Sequence, residues 1–352
     1  MKKILTLLMA AALCLSAAAC GAPAASSSEP VGSLSDSASV SPSSQESEPQ
    51  GEAVTIRAAA LKGPTAMGIV KLMADSEAGE TANQYEFAIY GTADEITPKI
   101  ISGDLDVAAV PCNLASVLWG KTQGGVKLAA INTLGVLYVV ETGDTVHSVE
   151  DLRGKTIYST GKGTTPEYAL NYVLSQNGID PAKDVTIDYK SESTEVAAIL
   201  SETENAVAML PQPYVTTVAL KNDKLRVALD MTEEWQKAAG EGGSGLVTGV
   251  VIVRAGFLDD PANKAAFDQF LAEYKASAGY VAGNTDEAAA LVGSYDIVPE
   301  AVAKKALPLC NITYIDGAEM KERAGGYLQV LFDQNPAAVG GALPDDSFYY
   351  AP

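Results

Sequence analysis

At 352 residues, with 47% hydrophobic and 19% charged residues, the chain is long enough for two cored domains. A formal net charge of −20 excludes a nucleic-acid partner, because phosphate neutralisation needs clustered Lys and Arg. The single histidine, His147, excludes His-rich metal sites by count, and it lies in a loop with no serine elbow in the chain to support a His-based triad.

The amino end reads as an export signal: Lys2 and Lys3 form a basic start, residues 4–15 are an apolar run too short to span a bilayer, and Ala17, Ala18 and Ala19 precede Cys20. Small residues before a cysteine resemble the bacterial lipobox, with Ala17 standing where leucine is usual. That resemblance implies a signal peptide of residues 1–19 and lipidation of Cys20. Residues 20–52, rich in Ser, Pro and Glu and without a basic residue, read as a disordered tether.

The folded part is organised by a repeat. Thr65 matches Thr165, Glu95 matches Glu195 and Pro111 matches Pro211, each at an offset of 100. In each unit an apolar run (54–60; 155–159) meets a Gly and Thr turn and a helical pattern. A second strand (85–90; 185–189) and a helix opened by Glu95 or Glu195 follow, and a third strand (107–111; 206–211) ends at proline. The first unit continues into a helix at 114–121 and a strand at 126–132, which 224–230 mirrors in the second. Such alternation predicts an α/β fold of βαβ units with mostly parallel sheets.

The apolar run 134–141 leads out of the first unit to a short helix at 148–152. After the glycine-rich break 240–245, the strand 246–254 leads back. Two crossings imply a hinge between lobe I (53–134 plus 248–352) and lobe II (135–247), with an interlobe cleft. Helical patterns fill 261–282, 286–294, 299–307 and 316–332, and Phe348, Tyr349 and Tyr350 in the tail are read as pinning it to a lobe.

The turns at the carboxyl ends of the strands are where open α/β sheets bind ligands. Gly63, Pro64, Thr65 and Met67 occupy the first such turn; Thr160, Gly163, Thr164 and Thr165 occupy its counterpart, with Lys62 and Lys162 alongside. Helix amino ends there would suit an anionic or strongly polar group. Cys112 and Asn113 after Pro111, and Gln212 and Tyr214 after Pro211, would suit a planar heterocycle. Tyr90, Glu95, Asn132, Tyr168, Glu195 and Thr248 complete the candidates, chosen at strand ends and helix starts.

No serine elbow, P-loop or GxGxxG fingerprint is present, Cys112 lacks a partner base, and no cofactor or metal is expected. Cys112 and Cys310 are open to either a disulfide or two free thiols.

GPTAMGIVKLM at 63–73, GDLDVAAVPCNLASVL at 103–118, VHSVEDLRGKTIY at 146–158 and AMLPQPYV at 208–215 resemble solute-binding proteins of the taurine, sulfonate, nitrate and thiamine-pyrimidine superfamily. The resemblance spans residues 54–335 and implies a two-lobed type II periplasmic-binding-protein fold that delivers a small molecule to an ABC permease. By motif position it places the site at Thr65, Asn113, Thr164, Thr165 and Gln212. The histidine and cysteine-rich motif of the pyrimidine-synthesising relatives is absent, which argues against that synthesis. The expected protein is a monomeric, lipid-anchored receptor for a small polar, planar or anionic molecule. A lyase or dehydratase on the same fold, and a ligand sensor, are the alternatives.

Overall fold

The repeat folds into two α/β lobes in the computed structural model, which describes residues 54–352; the export signal, Cys20 and the tether lie outside the described residues. The first unit comprises β1 (Thr55–Leu61), α1 (Pro64–Met67), α2 (Val70–Glu77), β2 (Gln84–Tyr90), α3 (Ala93–Ser102), β3 (Val107–Pro111), α4 (Cys112–Lys121) and β4 (Val126–Leu134). The second comprises β5 (Leu137–Glu141), β6 (Thr156–Ser159), α5 (Thr165–Gln176), β7 (Thr186–Tyr189), α6 (Ser193–Glu202), β8 (Val207–Pro211), α7 (Tyr214–Ala219), β9 (Arg226–Asp230) and α8 (Met231–Ala239). The chain then runs through β10 (Val247–Arg254), α9 (Pro261–Gly283), α10 (Thr285–Ser294), α11 (Glu300–Ala306), β11 (Ile312–Ile315) and α12 (Gly317–Gln334).

One sheet is ordered β2-β1-β3-β10-β4-β11 and the other β7-β6-β8-β5-β9. The first five positions correspond: in each sheet a strand from the crossing connections inserts, antiparallel on both sides, between the third and fourth strands of a repeat. This corrects the expectation of mostly parallel sheets. Only the β1–β2, β1–β3, β6–β7 and β6–β8 pairings are parallel, because each inserted strand enters from the opposite end and β11 adds a further antiparallel edge. The apolar run at 134–141 is likewise two strands, β4 and β5, parted at Gly135 and Val136.

The repeat anchors fall at equivalent steps. Thr65 lies in the first turn of α1 and Thr165 opens α5; Glu95 and Glu195 are each the third residue of their helix. Glu95 closes a capping box on Thr92, satisfying otherwise unpaired amino-end N–H groups. Asp230 caps α8 by accepting from the Thr232 N–H.

The core of lobe I packs α2 and α9 against one face of its sheet through Ile56, Leu72, Phe267, Phe270 and Tyr274. On the other side α12 joins Leu328 and Leu331 to a core that continues into lobe II. Its Tyr327 ring lies 5.4 Å from that of Trp235 on α8, which lies 4.4 Å from Tyr172 on α5. One helix therefore buries apolar surface of both lobes. Cys112 and Cys310 are free thiols, both buried, and Cys310 Sγ rests 3.8 Å from Met67 Sδ.

Candidate ligand-binding cleft

A cavity of about 400 Å³ opens where the strand ends of the two lobes face each other. That volume suits a small molecule. Lobe I contributes Leu61, Lys62, Pro64 and Thr65 at the end of β1, Gly91 to Asp94 after β2, Pro111, Thr133 and Thr248; lobe II contributes Thr160 to Lys162 and Thr164 to Pro166 after β6, Lys190 to Ser193 after β7, and Pro211, with Val136 and Leu137 from the crossing.

Of the residues proposed from sequence, Pro64, Thr65, Thr160, Thr164, Thr165 and Thr248 line this cavity. Several of their hydroxyls already hold backbone or side-chain partners. Thr65 Oγ1 donates to the Leu61 carbonyl at 2.7 Å, and Thr164 Oγ1 to that of Gly161 at 2.7 Å. Thr160 Oγ1 shares a hydrogen bond with Ser193 at 3.3 Å, and Tyr327 donates to Thr165 Oγ1 at 3.3 Å.

The other proposed residues stand around the cavity rather than on its wall. Met67 and Cys112 are wholly buried in apolar clusters, where burial pushes the Cys112 thiol far up. Gln212 turns back on its own helix, its Oε1 accepting from Thr216 N–H at 3.2 Å and Oγ1 at 2.8 Å. Asn113 Nδ2 reaches across the lobes to the Gly163 carbonyl at 3.1 Å and also donates to Ala338 O at 3.2 Å. Tyr214, its hydroxyl pushed up to about 12 by burial and then by the charge of Glu192, faces a second cavity of about 300 Å³ with Lys62, Ala197 and Asp296. Gly63 packs behind that ring with φ of 129°, and Tyr90 lies under the Lys99 ammonium at 5.9 Å. Asn132 is 1% exposed, within the fold behind the cavity.

The cleft also contains residues that the sequence reading passed over: Thr92, Asp94, Lys190, Glu192, Thr133 and Val136. Extending the offset of 100 beyond Tyr90 would have reached the first four, since 92 maps to 192 and both loops follow second strands. The cationic side chains have neighbours of their own. Lys190 pairs with Asp188 at 2.9 Å, which holds its ammonium above the ordinary value, Lys62 lies 3.8 Å from Asp296, and Lys162 sits 6.0 Å above the Tyr189 ring. Glu167 accepts from the Gly163 N–H at 2.5 Å, at the amino end of α5.

Known proteins share this fold. An ABC-transporter protein from Parabacteroides distasonis superposes with a TM-score of 0.69 at 20% identity, over 85% of this chain and 99% of that one. The periplasmic aliphatic sulphonate binding protein SsuA from Escherichia coli gives 0.66 at 15% identity, over 85% and 92%. The alkanesulfonate-binding protein SsuA from Xanthomonas axonopodis pv. citri, solved bound to MOPS, gives 0.64 at 14%, over 83% and 95%. At these identities the likeness is one of fold, the two-lobed periplasmic binding fold. No curated protein sequence matches the chain. The profile of one family, described as ABC transporter, phosphonate, periplasmic substrate-binding protein, matches residues 76–255, just over half of the 352. With an interlobe cleft built at both sets of strand ends, the chain belongs to that family and is the extracytoplasmic substrate-binding component of an ABC importer.

Proposed function

We propose that the protein captures one small polar molecule between its lobes, releases it unchanged to a permease, and performs no chemistry on it. The observation that carries this reading is that both lobes line one cavity of about 400 Å³. A ligand touching both lobes favours the closed arrangement by its differential affinity, and this is the coupling a delivery protein needs. Anchoring through a lipid on Cys20, and a monomeric state, complete the proposal; the first rests on the lipobox resemblance. The alkanesulfonate-binding relatives make a sulfonate-sized solute a reasonable scale for the ligand.

The test is retention. Full-length protein is equilibrated with yeast extract, washed, denatured, and its released small molecules identified by mass spectrometry. A single retained compound, recovered intact in amounts approaching that of the protein, is the expected result. Recovery of a converted product would favour the lyase or dehydratase reading, and an empty protein would refute the receptor.

A further inference from the structure

The wall of the cleft includes two threonines whose hydroxyls find no partner among the described residues. Thr133 and Thr248 both line the cavity, Thr133 is fully buried, and the Oγ1 atom of each is buried without a hydrogen-bond partner among the described residues. Such groups are costly to leave unpaired.

Their placement comes from two adjacent irregularities in the β4–β10 ladder. Val247 pairs with Leu134 and Gly249 with Thr133, so Thr248 is an extra residue on β10; Val250 then pairs with Ile131, so Asn132 is an extra residue on β4. A bulge sets two residues against one and re-aims side chains. Here it lets Thr248 share the cleft side with Thr133, and Gly249 opposite Thr133 carries no Cβ, which would stand 3.2 Å from Thr133 Cβ.

The charged groups that line the same cavity are exposed or already paired. Asp94, Lys162 and Glu192 are exposed, while Lys62 and Lys190 are half-buried beside Asp296 and Asp188. Two amino-end positions that would attract an anion already hold the protein's own carboxylates: Glu95 on the Thr92 N–H of α3 and Glu167 on the Gly163 N–H before α5. A second negative charge there would meet like charge. The apolar part of the same lining is Leu61, Pro64, Pro111, Val136 and Leu137.

We infer that Thr133 and Thr248 form the specificity pocket of this receptor and take an uncharged end of the ligand that both accepts and donates, such as an amide or lactam edge, on an apolar body. The inference rests on the receptor reading and deepens it. A phosphonate or sulfonate head is not what this end of the cleft is built to hold.

The experiment repeats the yeast-extract retention with methylphosphonate, ethanesulfonate, nitrate and nicotinate added in excess, alongside nicotinamide and uracil. The wild-type protein is expected to retain a compound with an uncharged amide-like end. Thr133→Val and Thr248→Val, which keep the shape and remove the hydroxyl, are each expected to weaken its binding about tenfold, the weight of one hydrogen bond to a buried group. Retention of one of the added anions, or wild-type affinity in both valine variants, overturns the inference and leaves the receptor standing. Retention of nothing refutes the receptor itself, and the inference with it.

Discussion

A methyl group at position 249 would sit 2.5 Å from Asn132 Oδ1 and 2.8 Å from Thr65 Cγ2. Both neighbours are short, buried side chains that cannot swing away. Gly249→Ala is therefore expected to destabilise the protein by roughly 1–3 kcal/mol, as overpacking does, and to weaken ligand retention because Thr65 and Thr133 move; urea denaturation and the retention assay measure the two effects. A second residue, Asp106, tests electrostatics away from the cleft. Burial alone would raise its pKa, but the side chain and N–H of Arg57 and the guanidinium of Arg254 hold it below the usual range. A depressed folded pKa means its contribution is complete above about pH 3.9, the unfolded value, and is lost as pH falls through the lower folded one. Asp106→Asn is expected to cost about 2 kcal/mol at neutral pH, less than a fully buried pair, because the two arginine side chains remain 37% and 28% exposed. Melting curves from pH 7 down to about pH 2 should show the variant losing less stability on acidification than the parent; parallel curves would contradict this.

At the scale of elements, α12 is the piece that makes two lobes share a core. Its Tyr327 packs on Trp235, which also donates its indole N–H to the Ser244 carbonyl at 2.7 Å. Trp235→Ala is expected to cost about 3–5 kcal/mol, in line with other large-to-small changes of buried aromatics, and to lower the melting temperature of both lobes together. Two separate transitions would show that the lobes fold independently of α12. This element also marks where the sequence was readable. The offset between Thr65 and Thr165 reveals the repeat, and so the strand–turn–helix loops that hold Pro64, Thr164 and Thr165 at the cleft. Helix α8 carried a usable signal that went unread, with Asp230 as cap, Glu233 and Glu234 in the first turn, and Met231 and Trp235 as its buried stripe. Strand β11, four half-buried residues at a sheet edge, carried none. Nor could Gln212 or Asn113 be aimed from sequence, since rotamer and partner decide whether an amide faces a cleft or turns to Thr216 or Ala338. The bulges that bring Thr133 and Thr248 together depend on the pairing of two strands more than a hundred residues apart.

For the whole molecule the question is what holds the lobes against each other when they close. Asn113 on α4 donates to the Gly163 carbonyl of lobe II at 3.1 Å and to Ala338 in the carboxyl-terminal segment at 3.2 Å. Ser116, one turn along the same helix, donates only to the neighbouring Val339 carbonyl at 2.8 Å. The pair separates two roles that one substitution would confuse. Ser116→Ala loosens the terminal segment by about 1 kcal/mol and leaves the cross-lobe bond intact. Asn113→Ala removes both bonds, so whatever it does beyond Ser116→Ala belongs to closure. If ligand selects the arrangement in which this cross-lobe bond is made, losing the bond lowers apparent affinity in proportion to the population of that arrangement. We expect Asn113→Ala to weaken ligand binding by roughly five- to tenfold, about 1–1.4 kcal/mol, and to enlarge the radius of gyration in X-ray scattering of the ligand-free protein. Ser116→Ala should match the parent in both measurements while melting slightly earlier. Equal scattering curves and equal affinities for the two variants would mean that Asn113 only pins the carboxyl-terminal segment, and that closure is held by α12 and the bound molecule.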